Sequence, residues 1–284
     1  MMRVQMLGLC RFSYLGLRGF QVEHDDMEER RAFLYDEGRL VRRWHWFEKI
    51  TLPALRAQTD PDFTLVVMTG PDLPDPWLSL LQQLCEEMPQ LELALVPPMR
   101  FHLQACKHAL LPHKDMSADV IGHFRMDDDD AVAIDYVARA REDFGLVEPA
   151  WHKRKAASID YMRGLVLKAT ESGVSVEPRM IYNAVAGLTV YLPPGDERSA
   201  TQLPHWRLGH HMPGLILPDE IMFCRFLNHD NDSGAIGPGY DFDGPPPDAA
   251  RVLAERFKID LADINRDARD FGLPQAGRKH WGAT

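Results

Sequence analysis

The apolar positions of this chain change period several times, and the changes divide its first half into alternating strands and helices. Residues 4–9 form a short apolar run that predicts a first strand, which leads into a loop at Arg11, Phe12, Ser13 and Tyr14. Residues 16–38 are polar and irregular, and a loop with some helix is expected there. From 39 to 57 the spacing lengthens. Leu40, Trp44, Phe47, Ile50 and Leu55 trace a helical face, with Pro53 as a kink or boundary. After a turn at 58–62, the β-branched run 63–68 predicts a second buried strand. Residues 77–87 return to helical spacing, and 91–96 alternate like a third strand stopped by Pro97 and Pro98. A helix is expected over 103–111 and a largely buried strand over 119–126. Val132, Ile134, Val137 and Ala140 then fit a further helix. This strand–helix alternation is the order of a mostly parallel, doubly wound α/β sheet flanked by helices.

The second half is less regular. Residues 157–162, 164–168, 174–179 and 187–192 predict short strands and turns, 218–228 a helix, and 249–271 one or two amphipathic helices. The Gly- and Pro-rich stretch 234–247 predicts an extended surface connection. No repeat is visible. One domain over 1–284 is expected, made of a regular half (1–130), an irregular half (131–247) and a helical tail (248–284).

Composition narrows the partners. A net charge of −10 argues against broad nucleic-acid binding, which needs a basic face. Cys10, Cys85, Cys106 and Cys224 are scattered without Cys-x-x-Cys spacing, so neither a zinc site nor a disulfide framework is indicated, and reduced thiols in the cytoplasm are expected. No run of 18 apolar residues predicts a membrane span, which leaves room only for peripheral membrane contact. Gly-x-Gly-x-x-Gly and Walker patterns are absent.

The chemistry concentrates at Asp127, Asp128, Asp129 and Asp130, between the fourth predicted strand and the helix that follows. Four adjacent carboxylates repel one another, so an ordered loop that holds them wants a cation. Acids at the carboxyl end of a buried strand also lie where open α/β sheets bind ligands. The expectation is a divalent-metal site holding a phosphorylated ligand; a solvated acidic turn is the plain alternative.

Three segments resemble glycosyltransferases of the GT-A fold, and most closely the rhamnosyltransferase family. They are the first strand with its Arg11-Phe12-Ser13 loop, residues 52–59 with the strand 63–68, and Phe124-Arg125-Met126-Asp127-Asp128-Asp129-Asp130, which looks like an Asp-x-Asp motif. Residues 226–233, with His229 inside, are a weaker match. The resemblance implies a GT-A-like, Rossmann-like fold with a nucleotide-sugar half and an acceptor half. It implies a Mg²⁺ or Mn²⁺ ion, a dTDP- or UDP-sugar donor, possession of a glycan or lipid-linked acceptor, and transfer with inversion. Asp127 and Asp129 are then the metal pair, with Asp127 near the ribose, and Asp130 is a further candidate for the metal. Asp128 with Asp130 is the other register. His229 is a candidate third ligand, with Asn231 beside it. Arg11 and Asp128 are assigned to the nucleotide, and Arg125 reaches either a phosphate or an aspartate.

An inverting transfer needs a general base, and Asp219 and Glu220, at the start of the helix predicted over 218–228, are the candidates. His205, His210 and His211 form a second cluster, with Trp206 as a platform for a sugar, or else an exposed loop. Two other functions compete. A prenyl-diphosphate or hydrolytic metal enzyme would place Asp-Asp-x-x-Asp on a helix of an all-helical protein, whereas Ala131 follows here and the first half carries strands. A non-catalytic calcium or carbohydrate module would have acidic loops and no nucleotide pocket.

Overall fold

The computed structural model describes residues 2–16, 26–99, 101–228, 230–231 and 248–271 of the 284. In chain order the elements are β1 (Val4–Arg11), α1 (Met27–Leu34), α2 (Glu37–Trp46), α3 (Leu52–Arg56), β2 (Thr64–Thr69), α4 (Trp77–Glu87), β3 (Leu91–Leu95), α5 (His102–Leu110) and β4 (Val120–Asp127). They continue with β5 (Ala131–Val132), α6 (Tyr136–Arg154), β6 (Ala157–Thr170), β7 (Gly173–Met180), β8 (Leu188–Leu192), β9 (Gly214–Leu227), α7 (Ala249–Val252) and α8 (Leu261–Phe271). A π turn, Phe47–Thr51, joins α2 to α3 just ahead of Pro53, whose missing N–H and bulky ring disfavour a regular helix there.

One sheet unites both halves in the order β3-β2-β1-β4-β8-β6-β9-β5, with β7 on the side of β6. The first four strands are parallel, as the β-α-β alternation requires, and β8 then pairs antiparallel with β4. The chain winds from β1 outward through β2 and β3 and returns on the other side of β1 as β4. The boundary between β1 and β4 is therefore the topological switch point, where such sheets open a crevice at the strands' carboxyl ends.

Each face of the sheet is covered. Phe124, Tyr136 and Tyr161 pack edge to face on the α6 side. On the opposite face Ala105, Cys106 and Ala109 of α5 lie against Leu7, Leu9 and Ile121. Beside them a 3-10 turn, His205–His210, carries Leu208 into a cluster with Leu188, Val190 and Leu192.

Two expectations are corrected. Residues 157–168 are one continuous strand: Arg163 and Gly164, which interrupt the apolar pattern, mark a bulge and not a turn. A Cβ on Gly164 would lie 2.2 Å from the Phe223 ring, so the missing side chain is what lets β9 close against β6. Residues 218–228, expected to be helical, belong mostly to the strand β9. Tyr161 pairs with Leu217 and Arg163 with Ile221, so β9 spends four residues where β6 spends two. Pro218, Asp219 and Glu220 are the extruded residues. A proline without an N–H cannot serve the ladder, and the aromatic residues Phe223 and Phe226 favour a buried strand.

Candidate functional site

Arg11 is the last residue of β1 and Asp127 the last of β4, and the parallel register sets them side by side. Arg11 Nη2 donates to Asp127 Oδ1 at 2.9 Å, across the switch point itself. The other guanidinium nitrogen, Nη1, lies 3.1 Å from His102 Nε2 at the start of α5. A guanidinium can only donate, so that imidazole nitrogen accepts. Burial, with Arg11 and Arg125 nearby, holds His102 down at about 3, and the ring is neutral.

Arg125 is on the same face of β4, two residues before Asp127, and its Nε is buried without a hydrogen-bond partner. Burial depresses its pKa, as does Arg11, against the pull of Asp127. A buried guanidinium nitrogen left unsatisfied costs free energy, which an anionic ligand would recover. Asp127 feels the converse field. Burial alone would raise its pKa, but Arg11 and Arg125 outweigh burial and hold the carboxyl well below its usual range.

The four aspartates are not an extended loop. Asp130 N donates to Asp127 O, closing a turn in which Asp128 and Asp129 are the central residues. Asp127 is open, with about a third of its side chain exposed (31%), whereas Asp128 and Asp129 are buried at 0% and 1%. The cation they need is inside the chain: Arg43 of α2. Its Nε donates to Asp128 Oδ2 at 3.1 Å and its Nη1 to Asp129 Oδ2 at 3.0 Å, while Nη2 contacts Asp128 Oδ1. Asp129 Oδ2 also accepts from the amides of Asn228 and Asn231, both at 2.8 Å, from the segment just after β9. Arg42 fixes that segment through a two-pronged contact with Asp230 at 2.6 and 2.9 Å. Asp130 points away, accepting from Phe226 N at 3.1 Å. Burial, then Asp129 and Asp127, push its pKa well up.

These positions decide how a metal would fit. Among the described residues no three His, Cys, Asp or Glu side chains converge in a way that could hold one. Asp128 is consumed by Arg43, and Asp130 is turned to the backbone of β9. Asp127, facing the crevice, and Asp129, whose buried Oδ1 has no hydrogen-bond partner, are the remaining oxygen donors. That set suits a Mg²⁺- or Mn²⁺-type ion that takes one or two carboxylates from the protein and its other ligands from phosphate and water. In the other register, Asp128 is paired with Arg43 and Asp130 Oδ1 accepts from Phe226 N. His229 lies outside the described residues.

Asp219 and Glu220 stand in the β9 bulge and not at a helix start; Glu220 lies 3.3 Å from Arg256, beyond the connection to the C-terminal helices. The second histidine cluster separates. His210 and His211 are exposed and His205 is half-buried, while the Trp206 side chain is outside the described part. His205 Nδ1 is 2.8 Å from Asn183 O, and Asn183 N donates to Asp160 Oδ2 at 2.7 Å. Asp160 faces the crevice side of the sheet. Ile121 pairs with Leu192 and His123 with Val190, so Leu188 and its partner Asp160 share the face of Arg125.

Arg43, Arg42, His102 and Asp160 were not singled out by sequence reasoning. One signal was available for Arg43: it lies three residues after Leu40 and three before Trp46, on the buried face of its helix, and a run of four carboxylates demands a counter-cation.

The molecule is thus a doubly wound α/β protein with arginines and aspartates gathered at its switch point. The family model described as "Putative rhamnosyl transferase" matches residues 5–240, and the chain belongs to that family. No curated protein matches the chain. Among solved structures it is similar to S. aureus TarS 1–349, at 10% identity and a TM-score of 0.43, over 78% of this chain and 60% of that one. The same fragment with UDP-GlcNAc gives 10% and 0.42, over 79% and 59%. A "putative nucleotide-diphospho-sugar transferase" from Desulfovibrio desulfuricans G20 gives 14% and 0.32, over 80% and 81%. The chain spans about three-fifths of the TarS fragment. Among the described residues no helix is long and apolar enough to cross a membrane.

Proposed function

We propose that the protein moves a sugar, rhamnose in the first instance, from a nucleoside-diphosphate donor such as dTDP- or UDP-sugar to a hydroxyl of a glycan or lipid-linked acceptor, with inversion. The observation that carries this reading is the unsatisfied, buried Nε of Arg125 beside Arg11 at the switch point. A diphosphate brings a counter-charge to both guanidiniums and the acceptor oxygen that Arg125 Nε lacks. In an overall acidic protein, cations placed there select an anionic ligand.

The residues divide the work. Arg11 and Arg125 bind the diphosphate and stabilise the charge that develops as it leaves. Asp127 keeps Arg11 aimed. Arg43, Asn228 and Asn231 hold the acidic turn in one geometry, so that nothing reorganises when charge moves. Asp127 and Asp129 would hold a Mg²⁺ or Mn²⁺, which when bound supplies Lewis-acid stabilisation to the departing diphosphate. Direct displacement at the anomeric carbon inverts its configuration.

A panel of nucleotide sugars that includes dTDP-rhamnose and UDP-sugars, scored for release of the free nucleoside diphosphate with and without Mn²⁺, tests this function. Release from at least one donor, lost in Arg125→Met and Asp129→Asn, is expected. Undiminished release by both variants would contradict the assignment of the site.

A further inference from the structure

An inverting transfer leaves a proton on the acceptor hydroxyl to be removed, and the two acids predicted for that task stand in the β9 bulge. The crevice face of the sheet offers a different group. His205 opens the 3-10 turn that covers this face, and its ring lies within the electrostatic reach of Arg125, Arg225 and Asp127, the charged groups that face it from β4 and β9. Its Nδ1 is 2.8 Å from a carbonyl oxygen, Asn183 O. A carbonyl has no proton to give, so Nδ1 must carry the hydrogen, and in the neutral ring the basic lone pair is on Nε2.

That tautomer is built in. Asn183 has a positive φ of 53°, a conformation that asparagine tolerates better than most residues. Its N–H is held by Asp160 Oδ2 at 2.7 Å, on the floor of the same face. The chain from Asp160 through the backbone of Asn183 to His205 has the form of a base oriented by a third group. Burial lowers the His205 pKa against the raising contact with the Asn183 carbonyl, and Arg125 and Arg225 add to the lowering, which favours the neutral ring.

We infer that His205 is the general base of the transfer and that Asp160 and Asn183 are its positioning residues; this rests on the proposed nucleotide-sugar reaction. As the acceptor oxygen forms its bond to the anomeric carbon, the bond from that carbon to the phosphate oxygen breaks. The diphosphate leaves with the electron pair, and the hydroxyl proton passes to His205 Nε2, making an imidazolium. The negative leaving group on Arg125 and Arg11 then stabilises that cation, which couples proton removal to departure.

Long-range proton–nitrogen spectra of the full chain labelled with ¹⁵N-histidine, with His205→Gln to assign the signal, test the inference without an acceptor. At pH 7 His205 is expected to be neutral with its proton on Nδ1, and its Nε2 signal to move when UDP or dTDP is added with Mg²⁺. Asp160→Ala should bring in the other tautomer, and Asp160→Asn, which keeps an acceptor oxygen, should restore the first. On a donor that wild type turns over, His205→Gln is expected to lose at least about 100-fold in kcat at unchanged donor KM. A proton on Nε2, a cationic ring at pH 7, or wild-type kcat in His205→Gln would overturn the inference. Calorimetry that finds no UDP or dTDP binding to the wild type would instead sink the nucleotide-sugar reading and leave the tautomer result standing by itself.

Discussion

Arg125, half-buried with a buried Nε, and Arg43, buried outright, belong to one site, yet they should respond to mutation in opposite ways. Arg43 sits in the charge it was folded around, against two carboxylates that are themselves out of water. Replacing it with leucine leaves those carboxylates uncompensated, and a loss of about 3–5 kcal/mol of stability is expected in urea unfolding. Arg125 gains little from the folded chain, with its Nε unsatisfied. Arg125→Met should therefore unfold at the wild-type temperature or above it, as scanning calorimetry would record. A drop of several degrees would mean that Arg125 is a structural cation, and the anion argument built on it would fail. Asp160 supplies a third case. Burial pushes its carboxyl up to about 7, against the lowering effect of the Asn183 N–H, while the unfolded chain ionises near the ordinary value of 3.8. The folded state thus prefers the neutral acid, and its stability falls as pH rises from about 4 to about 7. Asp160→Asn cannot ionise, so its melting temperature should gain on the wild type across that window. Parallel pH profiles for the two proteins would refute the assignment.

At the scale of elements, period and length carried the parallel half of the fold and missed what pairing decides. The strands at 63–68 and 91–96, the helix at 77–87 and the acid-bearing strand emerge nearly where their patterns put them, because local burial on a two-sided parallel sheet repeats along the chain. In the stretch 218–228, Ile221, Met222, Phe223, Cys224, Phe226 and Leu227 are apolar without a clear alternation, a pattern that fits a helix as well as a strand. That ambiguity is intrinsic to short apolar runs, and here the partner strand β6 settles it. The same limit applies to the site. Arg11, Arg125 and the acidic run were legible because they end strands at the sheet's switch point. Arg43 and Asp160 were not, because their partners are 85 and 23 residues away along the chain and nothing local signals the contact. The glycine that permits the β6–β9 junction is a direct test of this packing. Gly164→Ala forces a methyl into the Phe223 ring, and destabilisation of about 1–3 kcal/mol is expected in urea unfolding. A neutral result would show that β9 is free to shift.

At the scale of the molecule, the C-terminal helices belong to the structure that carries the site. Leu253, Phe257, Ile259 and Ile264 are buried in the main core, although the family match stops at residue 240. Asp267 of α8 contacts His45 of α2 at 2.9 Å, and the backbone O of Arg256 accepts from Ile134 N at 2.8 Å, just past the acidic turn. Removing residues 248–284 should thus uncover the helix that bears Arg43, and the product is expected to lose cooperative unfolding; a truncated protein that melts like the whole chain would contradict this coupling. Ligand binding should work in the opposite sense, since a nucleotide at 100 times its Kd adds about 2.7 kcal/mol to the folded state.

The proposed function turns on a diphosphate held by the guanidiniums at the switch point between β1 and β4. Isothermal calorimetry of UDP and dTDP against the wild type and Arg125→Met, in the presence of Mg²⁺, tests it most directly. Loss of one charge-assisted contact, worth about 1.5–3 kcal/mol, predicts roughly 10- to 150-fold weaker binding in a variant that remains folded. Equal affinities in the two proteins, or no heat from either nucleotide with the wild type, would contradict it.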